Sequence, residues 1–154
     1  MAKKHESGLR PIKSKELKVI LGNISKQFGI ESYKPDLYFF ITKKNRVYII
    51  TRDYANFDLT NLRLNHTGIY FCTVEKDGVR MSIEGSQMVG KLAKKNVVEI
   101  DRDHLDLWVT GNDLWLDGNE GYALIKSGGD FYGCGKGLSE RIMNFIPKSR
   151  RIII

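Results

Sequence analysis

Seven glycines fall between positions 118 and 137 of this 154-residue chain: Gly118, Gly121, Gly128, Gly129, Gly133, Gly135 and Gly137. Glycine loses more freedom on ordering than any other residue and offers no side chain to pack. Such a density is therefore tolerable only where the backbone bends sharply or passes close to another strand. Between and after the glycines lie short strand-like pieces at 122–126, 131–134 and 142–146, with 151–154 as the last. Short strands with glycine corners predict a small barrel or pseudo-barrel at this end of the chain.

The upstream part reads differently. Leu17, Ile20, Leu21, Ile24 and Phe28 recur on one face of a helix over 14–28, with Ser14 as the expected N-cap and Gly29 as the stop. Aromatic and β-branched runs at 38–42 and 46–51 flank Lys43-Lys44-Asn45, which is a hairpin pattern. A second pair, 68–74 and 79–83, is joined around Asp77-Gly78, a dipeptide suited to tight hairpin turns. A helix with Met88, Val89 and Leu92 inward is expected over 84–94, and Asn96 closes this part. A strand at 97–100 follows, then a short helix over 102–109 capped by Asp101 and ended by Gly111. The organisation expected is α+β: a basic arm at 1–12, an α/β module at 13–95, and a β pseudo-barrel at 96–154. At this length the chain is one domain or two small ones.

Several chemistries lack their parts. No GxxxxGK[ST] is present, so a P-loop is absent. The glycine run 133–137 leads into a further strand-like piece and not into a helix, which favours barrel corners over a dinucleotide loop. His5, His66 and His104 have no ligand neighbour at i+3 or i+4, and Asp101, Asp103 and Asp106 lack the glycine and terminal Glu of a calcium loop. No metal, cofactor or catalytic residue is expected. Cys134 has no visible base partner. No apolar run is long enough to span a bilayer, and the basic start has no apolar core behind it as a signal peptide would. Cys72 and Cys134 are read as buried or idle thiols of a cytoplasmic protein.

The net charge of +7 is unevenly spread. Residues 1–15 and 136–154 each hold five Lys/Arg against one Glu, whereas 99–130 holds eight acids against two bases. A basic end points to a polyanion partner, and a solubilising surface is the plain alternative.

The stretch Gly121-Tyr122-Ala123-Leu124-Ile125-Lys126, the pair Gly133-Cys134-Gly135, and the closing Arg141-Ile142-Met143-Asn144-Phe145-Ile146-Pro147-Lys148-Ser149-Arg150-Arg151 resemble a PUA domain. The likeness is to the PUA-like domain of Sun/Fmu-type RNA cytosine methyltransferases and of related stand-alone ribosome-biogenesis proteins. It covers 95–154, and more loosely 37–94, where it suggests the module that precedes the PUA domain. The methyltransferases' cofactor-binding core and Pro-Cys motifs have no counterpart here. The resemblance therefore implies a non-catalytic protein that binds structured RNA, rRNA or tRNA, in ribosome biogenesis or RNA modification. An RNA-modifying enzyme or a pre-ribosomal particle is the further partner implied, with no membrane role. The rival reading is an adaptor that docks a partner enzyme through the acidic 99–130 stretch.

The residues agree with an RNA role. Lys136, Arg141, Lys148, Arg150 and Arg151 supply forked and compact cations for phosphate. Asn144 suits either a base or sugar hydroxyl, or the inside of a turn. Phe131 and Tyr132 are stacking candidates, although core packing is the commoner use of strand aromatics. Lys43, Lys44 and Arg46 lie in a basic hairpin tip, with Arg52 after the second strand; such a tip is usually only solubilising. Pro147 stiffens the last segment, so Lys148, Arg150 and Arg151 should stand together at the barrel edge. Isoleucines 152–154 should then anchor in an apolar groove, and one arginine has an internal ion pair with the 99–130 acids as its alternative.

Overall fold

The computed structural model describes residues 8–51 and 68–153. Residues 1–7 of the basic arm, and the readings of His5, Arg52, His66 and Ile154, lie outside the described residues. The described residues form three helices and two sheets in an α+β arrangement.

The first sheet runs β1 (Arg10–Pro11), β2 (Leu37–Ile41), β3 (Arg46–Thr51), β4 (Ile69–Glu75), β5 (Gly78–Met81) in spatial order, with every neighbour antiparallel. Helix α1 (Ser14–Phe28) buries Ile20, Ile24 and Phe28 against it and ends on Gly29 at φ 65°. Ser14 is the first helical residue and not the cap. Lys13 occupies the cap position in extended conformation without a side-chain bond, because Arg10 and Pro11 pair with β2 and fix the approach. Gln27 near the end of α1 seals the sheet edge at β5. Its amide nitrogen donates to the Val79 carbonyl at 2.7 Å, and its oxygen accepts from the Val79 amide at 2.9 Å.

Helix α2 (Ile83–Gly90) begins under a Ser82 cap, whose hydroxyl accepts from the Gly85 amide at 2.8 Å. It is shorter than the 84–94 expected from the sequence. Past Gly90 the chain turns through Leu92 and Ala93, whose amides reach Val89 and Gly90. Leu92, expected inward, is thus 46% exposed.

The second sheet is β6 (Val97–Glu99), β7 (Asn119–Ser127), β8 (Asp130–Ser139) and β9 (Arg141–Met143). β6 and β7 are parallel and linked by helix α3 (Arg102–Val109); the other pairs are antiparallel. A bridge between Leu114 and Ile142 draws the sheet around a core of Ile100, Trp108, Leu114, Ile125, Ile142 and Ile146. Asp101 caps α3 by accepting from the His104 amide at 2.9 Å and meets the His104 ring at 2.8 Å. These bonds hold the Asp101 carboxyl below the ordinary range, and they explain the acids at this helix start.

β7 is buried on both faces. Tyr122 and Leu124 join the core beneath the first sheet, with Phe131 and Cys134 of β8, while Ile125 faces Trp108's cluster. β8 keeps its own faces in phase by a bulge: Cys134 pairs with Leu124 and Phe131 with Lys126, so Tyr132 and Gly133 together oppose Ile125. Gly133 sits there at φ 103°, a conformation that a side chain rarely adopts. Beyond it, Gly135 presents no side chain toward Trp108, and a Cβ there would stand 2.8 Å from the indole Cη2.

The strand expected at 151–154 is absent from 151–153. A single 3-10 turn, Lys148–Arg150, is followed by extended chain whose Ile152 amide donates to the Val109 carbonyl at 2.8 Å. Backbone bonding does the anchoring there. The side chains of Ile152 and Ile153 do not enter a groove: Ile152 is 55% and Ile153 98% exposed. Cys72 and Cys134 are buried free thiols. Burial pushes the Cys134 thiol up to about 12 and raises Cys72 as well.

Candidate nucleic-acid interface

The six residues singled out in the sequence fall into three places. Lys136, on the first-sheet side of β8, pairs with Asp77 in the β4–β5 turn at 2.6 Å and lies 5.5 Å from the Tyr122 ring centroid. The Tyr122 hydroxyl donates to the same carboxylate at 3.0 Å. Hydrogen bonds from Lys136 and Tyr122 hold Asp77 below its usual range. This group ties the two sheets together.

Arg141 and Asn144 meet at Asp113. The carboxylate takes Arg141 Nη1 at 3.2 Å on one oxygen and the Asn144 amide at 2.9 Å on the other. Asn144's side-chain nitrogen donates to the Trp108 and Asn112 carbonyls at 2.8 and 3.0 Å, and its oxygen accepts from the Ile146 amide at 2.7 Å. Its polar atoms are thereby committed to the turn that closes the barrel. Arg141 also lies 5.7 Å from the ring centroid of Trp115, which is 69% exposed. Sequence reasoning passed over Trp115, although Asp113-Leu114-Trp115-Leu116-Asp117 alternates and puts Leu114 and Leu116 inward.

Lys148, Arg150 and Arg151 share the last turn. Lys148 is exposed and has no ion pair among the described residues. Arg150 forms a bidentate pair with Glu84 in the first turn of α2, at 3.3 and 2.7 Å. The Arg150 guanidinium holds the Glu84 carboxyl below the ordinary range. Arg151 donates from Nε to the Ile146 carbonyl at 3.1 Å and lies against Gly111, where a Cβ would stand 2.4 Å from that nitrogen.

Between this turn and the first sheet opens a cleft of about 330 Å³, lined by Arg46, Tyr70, Arg80, Glu84, Phe145 and Arg150 among others. Arg80 lies 4.5 Å from the Phe145 ring centroid and reaches Glu75 at 3.3 Å. Tyr70 hydrogen-bonds Thr73, and burial raises its hydroxyl's pKa. Three guanidinium groups around one cleft, with a phenol and a phenyl ring, can take a phosphate by forked donors and a base by stacking. Of these residues only Arg46 and Arg150 were singled out in the sequence. Arg80 is carried by β5, far from the basic C-terminus in sequence, so charge blocks could not find it. Three acids of 99–130 are committed within the protein: Asp101 to a cap, Asp106 to Arg102 at 3.3 Å, and Asp113 to Arg141 and Asn144. The alternative foreseen for Arg150 or Arg151, a pair with these acids, is taken by neither: Arg150 meets Glu84, outside 99–130, and Arg151 donates to the Ile146 carbonyl.

Comparison with known proteins bears on the same region. Residues 95–152 match the family described as the methyltransferase RsmF PUA domain. The ribosomal RNA small subunit methyltransferase F of Aeromonas salmonicida (strain A449) is 24% identical over 140 residues, covering 90% of this chain and 28% of that protein. The protein of the same name from Vibrio vulnificus (strain YJ016) is 29% identical over 91 residues, 58% of this chain and 19% of its own length. The chain thus spans less than a third of the relatives it matches. Residues 95–152 form a PUA-like domain that resembles the one carried by Sun/Fmu-type RNA cytosine methyltransferases.

Proposed function

We propose that this protein is a non-catalytic binder of structured RNA, with small-subunit ribosomal RNA as its target and ribosome biogenesis or rRNA modification as its setting in the cytoplasm. The observation that carries the reading is the match of 95–152 to a PUA domain whose relatives are named as enzymes of small-subunit ribosomal RNA. In this reading 13–95 is a supporting module and 96–154 the RNA-binding domain. Lys148 and Arg150 contact phosphate at the mouth of the arginine cleft, and Trp115 with Arg141 offers a stacking platform for an unpaired base. Lys136, Asn144 and Arg151 hold the scaffold in register and meet RNA only at its rim. Crosslinking the protein in cells and sequencing the attached RNA tests the reading. Reads concentrated at folded segments of small-subunit rRNA are expected; reads spread over transcripts in proportion to their abundance would refute it.

The two neighbouring arginines should separate in a thermal melt. The exposed Arg150–Glu84 pair is of a kind worth roughly 0–1 kcal/mol, so Arg150→Ala should barely move the melting temperature. It should lower RNA affinity and reduce the slope of log K against log salt by about one. Arg151→Ala removes a hydrogen bond and the packing against Gly111, and should lower the melting temperature. A melt in which Arg150→Ala is the more damaging change would reverse these roles.

A further inference from the structure

The cations of the basic C-terminal end are, Lys148 apart, already engaged within the protein: Lys136 with Asp77, Arg141 with Asp113, Arg150 with Glu84, and Arg151 with a carbonyl. Another group is not. Lys91, Lys94 and Lys126 line a shallow basin of about 470 Å³ on the far side of α2, floored by Gly90, Gly129 and Phe131. No ion pair holds any of the three among the described residues. Lys126 instead lies 5.7 Å from the Phe131 ring centroid. The acids nearest in the strands are Glu99, in register opposite Lys126, and Asp130, beside Gly129; neither pairs with a lysine. Three ammonium groups around one basin repel one another, and a bound anion relieves that repulsion.

The rim is shaped for a bulky polyanion. Gly128 and Gly129 turn the β7–β8 hairpin beside the lysines, and a Cβ on either would meet nothing within 4 Å. A backbone of phosphate and sugar can therefore approach the turn without meeting a side chain. The basin and the arginine cleft lie at opposite ends of α2. Ile83 and Glu84 at the start of α2 line the cleft, and Gly90 at its end lines the basin, eight residues or about 12 Å along the axis. Glu84, Gln87 and Lys91, at i, i+3 and i+7, form the accessible stripe between them.

We infer that the Lys91–Lys94–Lys126 basin binds the phosphate backbone of RNA, and that the strand continues along α2 to the arginine cleft. The inference rests on the RNA-binding reading above. It differs from what the charge blocks of the sequence suggest, because it moves the principal phosphate contacts from the C-terminal turn to three scattered lysines. Compact ammonium charges without forked donors suit sequence-independent phosphate contacts.

The test uses the full chain and a folded small-subunit rRNA transcript, with affinity measured from about 50 to 200 mM salt. The Lys91→Ala/Lys94→Ala/Lys126→Ala variant should flatten the slope of log K against log salt by about two to three and weaken binding by about tenfold or more at low salt. Lys91→Gln/Lys94→Gln/Lys126→Gln, which keeps long side chains, should do the same, with an unchanged melting temperature. A charge-matched control on the exposed face of α1, Lys15→Ala/Lys18→Ala/Lys26→Ala, should leave the slope nearly intact. An unchanged slope in the basin variants, or an equal fall in the control, would overturn the basin while leaving RNA binding standing. Absence of binding by the unaltered chain would overturn the RNA reading, and the basin with it.

Discussion

Trp108→Ala should destabilise the protein by about 3–5 kcal/mol, the range for deleting a fully buried tryptophan. Trp108 has no exposed surface and sits at the centre of the second core with Leu114, Ile125, Ile142 and Ile146. Its indole nitrogen donates to the Tyr132 carbonyl at 2.7 Å, at the β8 bulge, and its own carbonyl accepts from Asn144. The substitution therefore opens a large cavity and orphans a strand carbonyl at the point where β8 changes phase. The melting temperature should fall by about 10 °C or more. RNA binding should be lost with it, because Asn144 and the 145–151 segment are positioned from Trp108's turn. Trp108→Phe, which keeps much of the volume and loses the donor, should fall between. A Trp108→Ala protein that melts within about 2 °C of the parent would show that this core does not hold the domain.

Gly135→Ala should be a costly single-methyl addition in the barrel. Gly135 lies on the face of β8 that meets Trp108, and its added Cβ would stand 2.4 Å from Ile142 Cγ2 and 2.8 Å from the Met143 carbonyl oxygen. Neither can give way easily, since Ile142 is fully buried and Met143 is held in β9 by its pairing with Lys136. Overpacking a tight core costs about 1–3 kcal/mol, and the fixed backbone contact puts this site at the upper end. Gly129→Ala provides the contrast: its Cβ would meet no atom, and only its φ of 91° opposes the change. Chemical denaturation of the two variants checks this directly. Equal midpoints would contradict the close approach of β8 to β9 and Trp108.

The parts of the fold legible in the sequence are those whose signal is local. The apolar face of α1, the Gly29 stop, the Asp101 cap and the Asp77-Gly78 hairpin each depend on residues a few positions apart, and each stands where periodicity and turn chemistry put it. The glycine run foretold close strand crossings. It hid the length of β8, because a ten-residue strand containing three nonconsecutive residues without side chains does not read as one strand. The pairing of Arg10 with Ile41 was invisible for another reason: two residues carry no periodicity, and their partner makes them a strand.

The site divides along the same line. Which residues carry charge is plain in the sequence; which charges are neutralised depends on partners far along the chain. Arg150 meets Glu84 across 66 positions and Lys136 meets Asp77 across the two sheets, so the basic C-terminal block is less available than its composition suggests. Lys91, Lys94 and Lys126 converge only because α2 packs on β8 and the β7–β8 hairpin returns beside it. Trp115 is the exception that sequence could have supplied, since strict alternation around it leaves it facing out.

The proposed binding of folded RNA runs through the PUA-like domain and the cations around α2. Its most direct measurement is the affinity of the full chain for a folded small-subunit rRNA transcript and for poly-U, each titrated over about 50–200 mM salt. Tighter binding to the folded transcript is expected at every salt concentration, with log K falling linearly and steeply as log salt rises. Equal affinity for the two RNAs, or binding that does not respond to salt, would contradict it.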